Sequence, residues 1–293
     1  MPVDQSVDTT TPSDLKTLEA GLDNLETSGR PHTSAKSYLA RLLSPLIAIA
    51  VIIVIWQIVT SLQLQPDYIL PTPRQVWDAL AQQAAQDLLW QSALNSIKRA
   101  GQGFIISIIV ATPIGLALGF YPKLRAILGP ILTGLQQLPS VAWVPAAIIW
   151  FGLSDATIFA VVLLGAVPSI ANGLLAGMDQ IPPIYLRAGQ AMGAKGFGRI
   201  WRIVLPAAWP GYLAGLEQGW AFAWRSLMAA ELIAVSPALG PGLGQMLDVG
   251  RSLGDMALIL GAIAMIMAVG ILIERLIFSP LRERTLRNRG LIR

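Results

Sequence analysis

The chain has 293 residues, 54% of them hydrophobic and 13% charged, with a mean hydropathy of +0.59. Soluble domains carry about 25% charged residues, so this composition excludes an ordinary soluble globule and points to a polytopic membrane protein. The net charge is +4; cysteine is absent and there is one histidine, His32, which leaves no disulfide framework, thiol nucleophile or histidine–cysteine metal site.

Residues 1–41 are rich in Asp, Thr and Ser. Apart from one weak amphipathic stretch through Leu15, Leu18, Leu22 and Leu25, they read as a largely disordered cytoplasmic tail. No secretory signal peptide is expected, because the first apolar run begins only near Leu42. The apolar runs predict six transmembrane helices over about 42–60, 97–120, 126–151, 156–177, 207–235 and 256–278. Between the first two, Thr72 is placed to cap an amphipathic helix starting at Pro73. In the second span Gly101, Gly115 and Gly119 allow close helix approach, and Lys98 and Arg99 at its outer end are expected to snorkel. The third span contains Pro130, Pro139 and Pro145; it is predicted to bend and to turn part of its backbone towards a cavity. Gly173 and Gly177 in the fourth span and Gly211, Gly215 and Gly219 in the fifth are read as close packing within one subunit.

Between spans four and five lies a loop over 178–206. Its Leu186–Pro206 portion carries Arg187, Lys195, Arg199 and Arg202 with no acid among them. Pro206 is expected to stop the preceding helix, and Gly198 to Leu205 to form a short amphipathic helix. A basic tail, 279–293, follows the last span. Most of the 21 Lys and Arg fall on the loop, the short turns and the termini that this topology places in the cytosol, as the positive-inside rule requires.

Few groups could do chemistry. No Gly-Lys dipeptide occurs, so a phosphate-cradling Walker loop is missing. No nucleophile stands beside a base, and no catalytic, cofactor or metal residue is assigned. No nucleic-acid partner is expected. Arg225 stands alone in the fifth span: a cation at that depth meets a partner or an aqueous path. Glu217 and Glu231 of the same helix are poorly placed to pair with it. An ion pair with an acid from another helix is the preferred reading, and contact with an anionic solute the other. Gln136, Gln137, Ser140 and Asn172 are further polar groups at membrane depth, and with Arg225 they make up the candidate translocation path.

The loop's spacing resembles a signature of permease subunits in bacterial ATP-binding-cassette (ABC) importers: E-A-A, three residues, Gly, nine residues, Ile, one residue, Leu-Pro. Arg187-Ala188-Gly189 stands in the place of E-A-A, and Gly193, Ile203, Leu205 and Pro206 fall in register. Arg187 and Gly189 are the departures. The stretches Ile69-Leu70-Pro71-Thr72-Pro73, Leu138-Pro139-Ser140 through Gly152, and Ala229-Ala230-Glu231 are similar to the nitrate/sulfonate/taurine branch of that family. The resemblance implies an all-α integral membrane chain with the type I ABC importer (MetI-like) permease fold, working as a homodimer in the bacterial inner membrane with both termini cytoplasmic. It further implies ABC ATPase subunits that bind ATP and Mg, docked on a coupling loop through Arg187, Ala188, Gly189, Gly193, Arg199, Ile203, Leu205 and Pro206. A solute-binding protein would deliver the cargo. The branch imports small anions; the wording Trp224-Arg225-Ser226-Leu227 leans towards aliphatic sulfonates, with nitrate, taurine and bicarbonate as alternatives. A secondary transporter, a channel or a membrane anchor for an enzyme complex are the rival classes.

Overall fold

A computed structural model describes residues 35–63 and 65–290, with side chains from 47 onwards. The leucine stretch near the N-terminus lies outside the described residues. Two units are distinguished, one ending at Ile58 and one beginning at Val59. The first carries most of helix α1, Ala35–Ser61, whose sequence has no amphipathic stripe.

The second unit is built from helices and their connections, with no strand among its described residues. Helix α2, Pro73–Ala85, begins with a full capping box: the Thr72 hydroxyl accepts from the Gln75 amide at 3.3 Å and the Gln75 side chain accepts from the Thr72 amide at 2.7 Å. Helix α3 runs Leu88–Phe120 and α4 Pro122–Gln137. There the helix breaks: Leu138 and Pro139 are extended, Ser140–Trp143 forms a 3₁₀ turn, and α5, Val144–Phe151, resumes. Helix α6 spans Asp155–Asp179, α7 Pro183–Ala191 and α8 Leu205–Ile233. Then come α9, Leu243–Leu253, α10, Met256–Ile273, and α11, Ser279–Asn288. Among the described residues, three helical stretches are long and apolar enough to cross a membrane: Leu88–Phe120, Asp155–Asp179 and Met256–Asn288. Helix α8 has the length, but Glu217, Arg225 and Glu231 break its apolarity.

Helix α6 is the centre of the packing. Val161, Val162, Ala166, Ile170, Ala171 and Leu174 have no exposed surface, because α3 and α8 cover it. The seam with α8 is made by glycines of both helices: a Cβ at Gly215 would lie 2.7 Å from the Gly173 Cα, and one at Gly211 would meet the Gly177 backbone. The glycine faces therefore pack inside one chain. On the other side Gly115 abuts Leu174, and Gly103 abuts Val162. Gly101 has nothing within 4 Å of its Cβ position, so the close approach expected of it belongs to Gly103, two residues on.

Two further expectations change. Pro206 does not stop a helix. Gly196–Arg199 is α-helical, Ile200–Val204 is a π turn, and both run without interruption into α8. The wider turn relieves the clash between the proline ring and the carbonyl one turn earlier. The same device recurs before α11, where the π turn Glu274–Phe278 precedes Pro280 by the same spacing. Helix α9 stands between the fifth and sixth spans, where no element was predicted. It follows a left-handed Gly240 and buries Leu243, Met246 and Gly250.

Candidate functional site

Three places on the second unit gather polar side chains. The first is the break between α4 and α5. A cavity of about 390 Å³ lies there, lined by Gln136, Gln137, Ser140 and, from α8, Phe222 and Arg225. A discontinuous helix leaves backbone groups without helical partners, which is tolerated at membrane depth only against protein or a water-filled space. The surrounding amides are held in place. Gln136 donates to the Ser169 hydroxyl at 2.9 Å and accepts from the Asn172 side chain at 2.8 Å. The hydroxyl of Ser226 bonds Ser140 at 2.7 Å. Asn172 therefore sits behind Gln136 and lines a separate space of about 480 Å³ beside Arg125 and Thr133. Of the residues proposed for the path, four share one cavity and the fifth orients one of them.

Arg225 is exposed. Its Nε donates to the Ala221 carbonyl at 3.0 Å, and its guanidinium lies 4.7 Å from the centre of the Phe222 ring. Among the described residues it has no carboxylate partner, so the preferred interhelical ion pair is not formed among them. A cation–π contact and one carbonyl leave most of its five N–H donors free for an anion.

The second place is the loop. Helix α7 carries Arg187 and Ala188 on its exposed side and the buried Gly189 on the other. The side chain of Ile203 occupies the space a Cβ at Gly189 would need. That contact gives a steric reason for glycine where the resembling signature has alanine. Gly193 turns the chain at φ +80°, and the Ala194 amide donates back to the Gly189 carbonyl at 2.9 Å. Ile184, Tyr185, Met192, Phe197 and Trp201 are all exposed, Met192 at 80%. Arg202 is exposed beside them, while the Nε of Arg199 is buried and has no protein partner among the described residues. Leu205 is half-buried; Pro206 helps line a cavity of about 710 Å³ between α7 and the root of α8. Just before α7, Arg125 and Asp179 form a two-bond pair at 2.8 and 2.7 Å. That bonding, with the carboxylate's charge, raises the arginine's pKa above its usual value.

The third place was not read from the sequence. Glu231 has no exposed surface, yet it accepts from the Ser96 hydroxyl at 2.7 Å, Arg99 Nη1 at 3.2 Å and the Gly244 amide at 3.0 Å. Arg99, expected to snorkel, is buried instead. Its Nε reaches Asp155 at 2.9 Å and its Nη2 donates to the Leu239 carbonyl. Ser96 also accepts from the Leu243 amide at 2.9 Å, and Asn95 donates to the Pro241 carbonyl at 2.9 Å. One carboxylate and one guanidinium thus tie together the ends of α3, α6 and α8 and the segment 237–244. The available signal was Ser96 and Arg99 at helical spacing i, i+3 on one face.

The family model described as binding-protein-dependent transport system inner membrane component matches residues 103–278. The chain is similar to a taurine transport system permease protein of Escherichia coli, with 32% identity over 231 residues, 77% of this chain and 82% of that protein. It is also similar to a putative aliphatic sulfonates transport permease protein of Bacillus subtilis, 28% identical over 237 residues, 81% and 84% of the two chains. A bicarbonate transport system permease protein of Synechococcus elongatus is 29% identical over 201 residues, 69% of this chain and 70% of that one.

Proposed function

This chain belongs to the binding-protein-dependent family of ABC importer inner-membrane permeases, and from that premise we propose that it carries small organic anions, aliphatic sulfonates above all, into the cell. It is a transport subunit and not an enzyme; ATP would be hydrolysed, with Mg, on a separate ABC ATPase. The observation that carries the choice of an anion is Arg225, which has no carboxylate partner among the described residues and faces the cavity at the α4–α5 break with Gln136, Gln137 and Ser140. The names of the relatives support the same chemistry, since taurine is itself a sulfonate. Nitrate and bicarbonate are the other anions this machinery would suit.

In this reading the permease works as a homodimer with six spans per chain and both termini in the cytosol. The exposed apolar residues around Arg187 and Arg202 dock on the ATPase. ATP binding draws the two coupling loops together, the paired helices switch from inward- to outward-facing, and a solute-binding protein hands over the anion. The test is uptake of labelled taurine and alkanesulfonates into vesicles holding the permease, its ATPase and its binding protein. Arg225→Ala should raise the KM for the anion about tenfold, the worth of one charge-assisted contact, with the ATPase still co-purifying. An unchanged KM removes Arg225 from the path. A permease that takes up anions with no ATPase bound would instead be a secondary transporter.

A further inference from the structure

The C-terminal segment was expected to be a basic tail. The structure shows a helix, α11, lying against the root of α8 where the loop enters it. Trp209 donates its indole N–H to the Thr285 hydroxyl at 3.0 Å. Arg282 bonds Glu217 at 3.1 Å and lies 3.8 Å from Glu274. Arg289 Nη2 donates to the Pro206 carbonyl at 2.6 Å and reaches the Ala207 carbonyl at 3.4 Å.

The last contact has a specific reason. In an α-helix the carbonyl of residue 206 takes its hydrogen bond from the amide of residue 210. Residue 210 is proline, inside α8, and has no N–H to give. The carbonyl orphaned by Pro210 is the one that Arg289 reaches. The root of α8 is weak in other ways too. Pro206 removes a second amide, and the π turn Ile200–Val204 precedes it. Prolines and π turns are where helices bend.

We propose that the C-terminal helix is a brace for the coupling loop, with Arg289 a positioning residue whose guanidinium replaces the N–H that Pro210 lacks and so holds the hinge between the loop and α8. The proposal rests on the transport reading above. It adds that force from the ATPase reaches α8 through a joint set by this chain's own last helix. Arg282 on Glu217 and Thr285 under Trp209 fix where α11 lies. Arg289 makes the bond that matters for the joint. Without it the Pro206 carbonyl is left to mobile water in place of a fixed donor, the hinge loosens, and loop motion is spent in bending the root instead of moving the helix.

The test is anion uptake per ATP hydrolysed in vesicles holding the full complex, with ATPase co-purification measured beside it. Arg289→Ala should lower that ratio by at least about threefold, within the range by which residues remote from ligands alter coupling between sites, while the ATPase stays bound. Pro210→Ala supplies the missing N–H. Added to Arg289→Ala, it should recover at least half of the lost ratio, which a merely structural role for the arginine would not produce. An unchanged ratio in Arg289→Ala overturns the proposal, and so does a failure of Pro210→Ala to rescue it. So does a double variant that cannot assemble. If the wild-type chain binds no ATPase, the transport reading fails first; if it does and Arg289→Ala is silent, only the brace is lost.

Discussion

The two ends of α8 are built on opposite plans. At the Glu231 end the carboxylate is held by Ser96, Arg99 and the Gly244 amide, it has no exposed surface, and glycines at 242 and 244 press against it with no room for a methyl group. At the loop end the helix is interrupted by Pro206, Pro210 and a π turn, and large apolar side chains such as Phe197, 73% exposed, and Trp201, 59%, face outward. Cores are bistable rather than continuously deformable, so a helix anchored at one end and articulated at the other behaves as a lever. In the transport reading proposed above, the loop end would receive motion and the Glu231 end would resist it.

The largest effect should come from breaking the anchor. Glu231→Ala leaves Arg99 with Asp155 and the Leu239 carbonyl and takes the acceptor from the Ser96 hydroxyl and the Gly244 amide. Removing one partner of a buried pair costs about 3–5 kcal/mol, so the purified permease should unfold at a markedly lower temperature in detergent. A melting temperature equal to wild type would mean that this end is no anchor. Gly244→Ala tests the same end by crowding. The new Cβ would lie 2.5 Å from the Glu231 Cβ and 2.7 Å from the Met228 carbonyl. Overpacking of that kind costs about 1–3 kcal/mol, and the same thermal scan reads it.

How much of this could be read from the chain alone differs between the two ends. The loop end was largely legible, because its signals are local: a run of cations without acids, glycines at a turn, and a spacing shared with a family. Its one error, Pro206 as a stop, arose because a π turn leaves no compositional mark. The Glu231 end was not legible. Glu231 was singled out, but Arg99 lies 132 positions away, and no periodicity links residues on different helices. Arg99 was assigned to snorkel because a lone cation near a span end usually does; burial among Asp155, Glu231 and a carbonyl is a tertiary fact. Helix α9 could have been found. Leu243, Met246, Leu247 and Gly250 follow the i, i+3, i+4, i+7 pattern, which the preceding Pro and Gly residues obscured. The path residues were chosen singly as polar groups beside prolines, and only the break at Leu138 and Pro139 brings Arg225 to the glutamines.

The smallest effect belongs to the loop end and sharpens the contrast. Arg125 and Asp179 make two short bonds, yet their side chains remain 45% and 47% exposed. Water and salt reach both groups, so the pair is worth only about 0–1 kcal/mol to folding. Its position matters more: Asp179 ends α6, a few residues before α7 begins at Pro183. The pair therefore tethers the entry to the loop, without locking it, to the first turn of α4. Arg125→Ala should leave the melting temperature within a degree or two of wild type, about what a fraction of a kcal/mol produces in a chain of this size, and raising ionic strength should shrink even that difference. Glu231→Ala should lose far more, and salt should do little for it, because its partners are shielded from solvent. If both variants lost equal stability with equal salt dependence, the two ends of the molecule would not differ in kind, and the lever would have no fixed end.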